Sequence, residues 1–265
     1  MNKKVAIIGG GNLGVAIAEG LLKSKFLTAS DIFITKRTPS TLKGLADKGV
    51  NVSDNNNEAV QGSSIVIIAV KPFQIKEVLE GLKKSLQPSK HILISVVTGI
   101  FIDDMVQIIK KGLPLFRAMP NTAIAVQESM TCLSYKNAKP EQVKLVQQLF
   151  EKLGRVAVID EKLMNAATVL GACGTAYAMR YIRANIQGGI EIGFDATTAS
   201  LIAAQTVKGA TELLLQKGAH PEQEIDKVTT PKGCTIAGLN EMEHHGFSSS
   251  LIKGIAVSYN KIIKG

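Results

Sequence analysis

The run Val5-Ala6-Ile7-Ile8 leads straight into Gly9-x-Gly11-x-x-Gly14, and the glycines open a helical pattern over residues 13–22. A strand that turns so tightly into a helix uses its glycines for separate tasks. The first permits the turn, the second lets the backbone approach a pyrophosphate, and the third lets helix and strand pack closely. The helix start adds free N–H groups and a positive dipole end for the phosphates. Glycine turns are common on their own, but in this strand-turn-helix setting the pattern reads as a dinucleotide site on a Rossmann-type sheet.

The neighbouring sequence supports such a sheet. Apolar, β-rich runs at 31–35, 64–70, 91–97, 115–119, 131–135 and 155–159 alternate with longer helical patterns, the sign of a parallel sheet wrapped by helices. The unbroken apolar stretch 65–70 fits a strand buried on both faces. After Asp160 the β-rich runs stop. Ala-rich helical patterns fill 161–192 and 197–216, His220-Pro221 opens a short helix, Thr229-Thr230-Pro231-Lys232-Gly233 is a break, and helices follow over 235–245 and from 248 onward. The expected architecture is therefore α/β, with a doubly wound sheet in domain 1–160 and an all-helical domain 161–265.

Charge follows the same division. The 265 residues carry a formal net charge of +9; 21 basic and 13 acidic residues lie at or before Asp160 and 10 and 9 after it, leaving +8 and +1. With 45% hydrophobic residues the chain can bury a core, which excludes a disordered tail protein. The absence of Trp, 5% aromatic content and lack of any run of four basic residues speak against nucleic-acid binding. Cys132, Cys173 and Cys234 form no CxxC or CxxH pair, and His244 and His245 are adjacent, so neither a disulfide framework nor a metal site is expected. The N-terminal lysines precede too short an apolar run for a signal peptide, and no stretch is long enough to span a membrane. The expected location is the cytoplasm.

The second strand points to the nucleotide. A site specific for NAD usually carries an acid there for the ribose hydroxyls, but this strand ends in Thr35-Lys36-Arg37. Two cations and a hydroxyl suit a 2′-phosphate, so NADP, as NADPH rather than NADH, is the expected cofactor. Two more strand ends should line the same cleft: Ala69-Val70-Lys71-Pro72 and Ser95-Val96-Val97-Thr98-Gly99. By spacing alone, Lys71 is equally an ordinary strand-end lysine.

Together with Met119-Pro120-Asn121-Thr122, these motifs resemble the pyrroline-5-carboxylate reductases. The segment Val228-Thr229-Thr230-Pro231-Lys232-Gly233-Cys234-Thr235, with Ile236-Ala237-Gly238-Leu239 after it, is similar to that family's signature V-T-S-P-G-G-T-T-x-x-A-L. The resemblance covers nearly the whole chain. It implies NADPH-dependent reduction of 1-pyrroline-5-carboxylate to L-proline, the last step of proline synthesis, and a helical domain through which subunits intertwine as a homodimer, often assembled into decamers. It also implies cofactor contacts at Gly9, Gly11, Asn12, Leu13, Gly14, Thr35, Lys36, Arg37, Asn56, Ala69, Val70, Lys71, Pro72, Thr98 and Gly99, with Met119, Pro120 and Asn121 beside the nicotinamide. For substrate it points to the loop from Thr230 to Thr235, with Thr230, Gly233, Cys234 and Thr235 as contacts; Glu161 is a further substrate-binding candidate beside it.

The chain departs from the family pattern in places. Gly171-Ala172-Cys173-Gly174-Thr175-Ala176-Tyr177 stands where the family has S-G-S-G-P-A-Y, Ala123 replaces a proline, and Lys232 and Cys234 replace a glycine and a threonine or alanine. Arg180, Arg183 and Asn185 face either the pocket, where they would alter substrate choice, or solvent and a neighbouring subunit.

An imine accepts hydride best when its nitrogen is protonated or hydrogen-bonded, and the signature loop holds no His, Asp or Glu. Thr235 is the leading donor, with Tyr177 and Glu161 behind it; the bland reading of Thr235 is a helix N-cap. Cys173 and Cys234 read as small packing residues rather than nucleophiles. Rival readings are a reductase of another cyclic imine or of a hydroxy acid, and a non-catalytic NADP-binding sensor. A hydroxyacid dehydrogenase would ordinarily show a catalytic lysine in a K-x-x-N pattern on its first long interdomain helix; 161–192 has Lys162 near its start, but its lysine-free middle lacks that pattern.

Overall fold

Alternating side chains of the apolar runs sort into two layers, one on each face of a single sheet. The computed structural model describes residues 4–264; Met1 to Lys3 of the leader-like N-terminal stretch lie outside the described residues. The strands are β1 (Val5–Ile8), β2 (Ile32–Thr35), β3 (Asn51–Ser53), β4 (Ile65–Ile68), β5 (Ile92–Ser95), β6 (Leu115–Met119), β7 (Ser129–Lys136) and β8 (Gly154–Val158). Their order is β3-β2-β1-β4-β5-β6-β7-β8. On one face Ile7, Ile34, Ile67 and Ile94 pack against Ile17 and Leu21 of α1 (Asn12–Lys23) and Leu149 and Phe150 of α6 (Pro140–Glu151). On the other, Ala6, Ile8, Val66, Ile68 and Leu93 meet Leu79 of α4 (Ile75–Leu82) and Met105 of α5 (Ile102–Ile109). Each fully buried aliphatic side chain contributes about 1.5–3 kcal/mol of hydrophobic stabilisation.

Two details differ from the sequence expectation. Strand β6 pairs antiparallel with β7, because only residues 120–128 separate them and a parallel crossover needs a dozen or more. The three-residue edge strand β3, Asn-Val-Ser, has no apolar run to announce it.

Contacts divide the chain into compact units Met1–Cys173 and Gly174–Lys264, later than the boundary expected at Asp160. The reason is the packing of 161–173 onto the sheet unit, where Met164, Thr168 and Val169 are buried. The continuous helix expected over 161–192 is also broken. A 3-10 turn (Glu161–Leu163) and the short α7 (Met164–Ala167) precede a π-helical stretch (Thr168–Cys173), and α8 (Gly174–Glu191) follows. Within the π stretch the Gly171 carbonyl accepts a hydrogen bond from the Asn121 amide at 3.1 Å, and the Thr168 hydroxyl donates back to the Met164 carbonyl. The first bond reaches the stretch from outside and the second is an i to i−4 back-bond from it into α7.

The second unit comprises α8, α9 (Ala196–Lys217), α10 (Pro221–Lys227), α11 (Cys234–His244) and α12 (Phe247–Lys264). Its only buried hydrophobic residues among those described are Ala199 and Ala203, while Ile192, Leu201, Ile252 and Val257 are each at least 66% exposed. So much uncovered apolar surface marks an interaction face.

Candidate active site

The glycine turn is built as the motif requires. Gly9 has φ +116, and a Cβ there would lie 2.5 Å from the Ala69 carbonyl oxygen. A Cβ on Gly14 would fall well inside 3.0 Å of the Gly9 carbonyl oxygen, so only glycine lets α1 approach the turn. Gly11 faces open space and is the N-cap residue of α1, with no side-chain cap and no acid in the first turn. The helix N-terminus is therefore open to an anion.

Around this turn lies a cleft of about 650 Å³ at the carboxyl ends of β1, β2, β4 and β5. Among the expected cofactor residues, Gly9, Gly11, Asn12, Leu13, Thr35, Lys36, Arg37, Asn56, Ala69, Val70, Lys71, Pro72 and Thr98 line it. No ion pair among the described residues engages Lys36, Arg37 or Lys71. Thr35 is only 2% exposed, and its hydroxyl donates to Asn56 Oδ1 at 2.6 Å. The Thr35 hydroxyl thus orients Asn56, and both residues line the cleft. The cleft also contains Gly10 of the same loop, together with Thr38, Asp54 and Gln74, which the sequence reading misses. Asp54 follows β3, and without that strand nothing in the sequence places it beside Lys36.

Other expected residues do not line the cleft. Gly14 sits behind the turn, and Gly99, with φ +78, lies just past Thr98. Met119 and Pro120 are buried. The Asn121 side chain is engaged, its Oδ1 accepting from Ala123 N at 3.0 Å and its amide donating to Gly171. Where the family has proline, Ala123 thus supplies an N–H that proline would lack.

Glu161 begins the 3-10 turn that follows β8. Its Oε1 accepts from the Ile102 backbone N–H at 2.7 Å and faces Arg117 Nη1 at 3.2 Å. One carboxylate oxygen thus ties Glu161 to both the start of α5 and the buried Arg117. The Arg117 side chain is 1% exposed, and burial lowers its pKa from the usual range against the raising effect of Glu161.

In the helical unit, Gly233 is the N-cap residue of α11, with φ −73, ψ 164 and no side-chain cap. Thr235 is the second helical residue, so the reading of Thr235 as the cap does not hold. Residues 230–233 form a turn, the Gly233 N–H donating to the Thr230 carbonyl at 3.0 Å, with Lys232 at φ +59. The Tyr177 hydroxyl pairs with the Ser258 hydroxyl at 2.6 Å. Cys173 is half-buried and Cys234 exposed, so Cys234 is not a packing residue within the single chain. Arg180, Arg183 and Asn185 are exposed on α8.

Residues 161–264 match the family model for pyrroline-5-carboxylate reductase dimerisation, and residues 4–99 match one described as NADP oxidoreductase, coenzyme F420-dependent. A pyrroline-5-carboxylate reductase of Dictyostelium discoideum, number 2 of that organism, is 43% identical over 99% of this chain and 93% of its own length. The chain belongs to the pyrroline-5-carboxylate reductase family. The organism's reductase 1 is 48% identical over 97% of this chain, which spans only 49% of that relative's length. A pyrroline carboxylate reductase of Plasmodium falciparum, solved with NADP bound, superposes with TM-score 0.89 at 26% identity, covering 98% of this chain and 97% of its own. The family's dimerisation match begins at Glu161, the residue at which the sequence pattern changes. As a member, the chain is an oxidoreductase with a Rossmann-type domain and a helical dimerisation domain.

Proposed function

We propose that this protein reduces 1-pyrroline-5-carboxylate to L-proline, preferring NADPH to NADH. The observation that carries the cofactor choice is the cleft at the end of β2, where Lys36 and Arg37 have no ion-pair partner among the described residues and Asn56 is oriented by Thr35. The residues fit the cofactor: the open start of α1 suits a pyrophosphate, and the two cations suit a 2′-phosphate. When bound, NADPH supplies the hydride for the C=N carbon.

The chain's own residues bind, orient and protonate. Thr230, Gly233, Cys234 and Thr235 surround the start of α11, where free N–H groups and the dipole suit the substrate carboxylate. The Thr235 hydroxyl would donate a hydrogen bond to the ring nitrogen, which would take its proton from water. Most of the acceleration comes from holding the reacting atoms close, worth up to about 7–11 kcal/mol in well-oriented systems. Met119, Pro120 and Asn121, at the end of β6, would lie beside the nicotinamide when the cofactor is bound. The working molecule is a cytoplasmic homodimer formed through the apolar faces of the helical unit, with decamers as the higher assembly.

The test compares initial rates of NADPH oxidation with 1-pyrroline-5-carboxylate, with 1-pyrroline-2-carboxylate, and of NADP reduction with a 3-hydroxy acid. Turnover confined to the first supports the proposal. A higher kcat/KM for either alternative would reassign the substrate, and bound NADPH with no turnover on any would favour a sensor.

A further inference from the structure

Arg117 is a charged residue in an otherwise apolar strand: Leu115, Phe116, Ala118 and Met119 of β6 are all buried with it. Stability alone does not explain its presence. Buried ion pairs often contribute no more than packed apolar side chains of the same size, and Arg117 Nε and Nη2 find no hydrogen-bond partner among the described residues. Its position offers a different reason. In the parallel β5–β6 register Arg117 lies beside Ser95, the last residue of β5. The chain leaves β5 there, passes Thr98 in the cofactor cleft and Gly99 at φ +78, and enters α5 at Ile102.

Both ends of that loop's last step are tied to Arg117. The guanidinium carbon lies 4.7 Å from the centre of the Phe101 ring, a cation–π contact. Nη1 orients Glu161, whose same oxygen accepts the Ile102 N–H. The Phe101 N–H is held independently by Asp104 at 2.9 Å. One buried cation therefore braces the loop 96–101 from the strand side and, through Glu161, from the segment that begins the dimerisation match.

We propose that Arg117 is a positioning residue: acting through Glu161 and Phe101, it fixes the loop carrying Thr98 so that bound cofactor is held in register for hydride transfer. The inference rests on the reductase reading above. It assigns Glu161 to the brace rather than to substrate, and it predicts that the pair acts on turnover more than on cofactor affinity.

The experiment uses the full-length protein with Arg117→Met, which fills similar volume, Glu161→Gln, which keeps an acceptor for Ile102 N–H, and the double variant. Since Glu161 is partly exposed, its variant remains informative if Arg117→Met fails to fold. The expected result is a fall in kcat of roughly tenfold to a hundredfold for Arg117→Met, with KM for NADPH changed by less than about threefold. The primary isotope effect on kcat with C4-deuterated NADPH should rise, and the double variant should be no worse than the poorer single. With NADP⁺ alone bound, hydrogen exchange of the backbone amides at 98–102 should speed up in every variant. A purely structural role would lower thermal stability and the number of active sites while leaving the isotope effect, per-site kcat and loop exchange unchanged, and that result overturns the proposal. If the wild-type protein shows no turnover, the reductase reading fails, and the exchange measurement still decides whether Arg117 braces the loop.

Discussion

Replacing Gly14 or Gly11 by alanine separates what the glycine turn does for folding from what it does for binding. A Gly14 Cβ would overlap the Gly9 carbonyl oxygen and stand 3.2 Å from the Gly9 carbonyl carbon and 3.3 Å from Ile7 Cγ2. Two of these atoms are backbone and the third belongs to a fully buried strand residue, so α1 must move away from β1 by about an ångström. Overpacking of this kind costs about 1–3 kcal/mol or more, and the same movement carries the helix N-terminus out of place. Gly11→Ala meets nothing within 4 Å and has an ordinary backbone, φ −81 and ψ −173. An N-cap alanine costs at most about 1 kcal/mol, but its methyl group projects where a pyrophosphate would lie. Thermal unfolding of the ligand-free protein and fluorescence titration with NADPH read the two effects. Gly14→Ala should lower the melting temperature by several degrees and weaken binding, whereas Gly11→Ala should melt nearly as wild type yet bind roughly tenfold or more weakly. A Gly14→Ala protein with wild-type melting would refute the packing argument, and wild-type affinity in Gly11→Ala would refute the pyrophosphate placement.

Other perturbations probe the remaining parts. Lys36→Ala with Arg37→Ala should raise the KM for NADPH about 5- to 30-fold, equivalent to about 1–2 kcal/mol for partly exposed cations, with little change for NADH; equal effects would remove the 2′-phosphate assignment. Thr235→Ala should cut kcat by roughly a hundredfold while the NADPH dissociation constant stays near wild type, and full activity would exclude the hydroxyl as donor. His91 is buried, its Nδ1 accepting from Gln87 N–H and Nε2 facing the Val60 carbonyl, and burial is the main cause of its lowered pKa. The unfolded chain therefore binds a proton at higher pH than the folded one, so this contribution is complete above about pH 6.5 and is lost as pH falls toward the lowered folded value. A urea-unfolding series should show that slope in wild type and a flatter one in His91→Gln. Ile252→Glu on the exposed face of α12 should shift sedimentation from an even multiple of the 28.2 kDa chain toward the monomer, and an unchanged mass would move the interface elsewhere.

Much of this was legible because the informative signals are local. The glycine spacing, the Thr35-Lys36-Arg37 strand end and the apolar runs each report on chemistry within a few residues, and all but one strand followed. Strand β3 escaped because a three-residue polar edge strand is fixed by pairing with β2, not by its own pattern. Asp54 was hidden with it. The engagement of Thr35 with Asn56 and of Glu161 with Arg117 joins residues 21 and 44 apart in the sequence, a spacing at which residue type carries no information about partners. Likewise the π-helical stretch coincides with an amide that reaches Gly171 from 50 residues away, a pairing no local pattern announces.

The central claim is that the chain delivers hydride to the imine carbon of pyrroline-5-carboxylate. Turnover with C4-deuterated NADPH, followed by mass spectrometry and NMR of the product, tests it most directly. The account requires one proline per NADPH oxidised, with the deuterium at proline C5. NADPH that binds but is not consumed, or deuterium found in any other product, would contradict it.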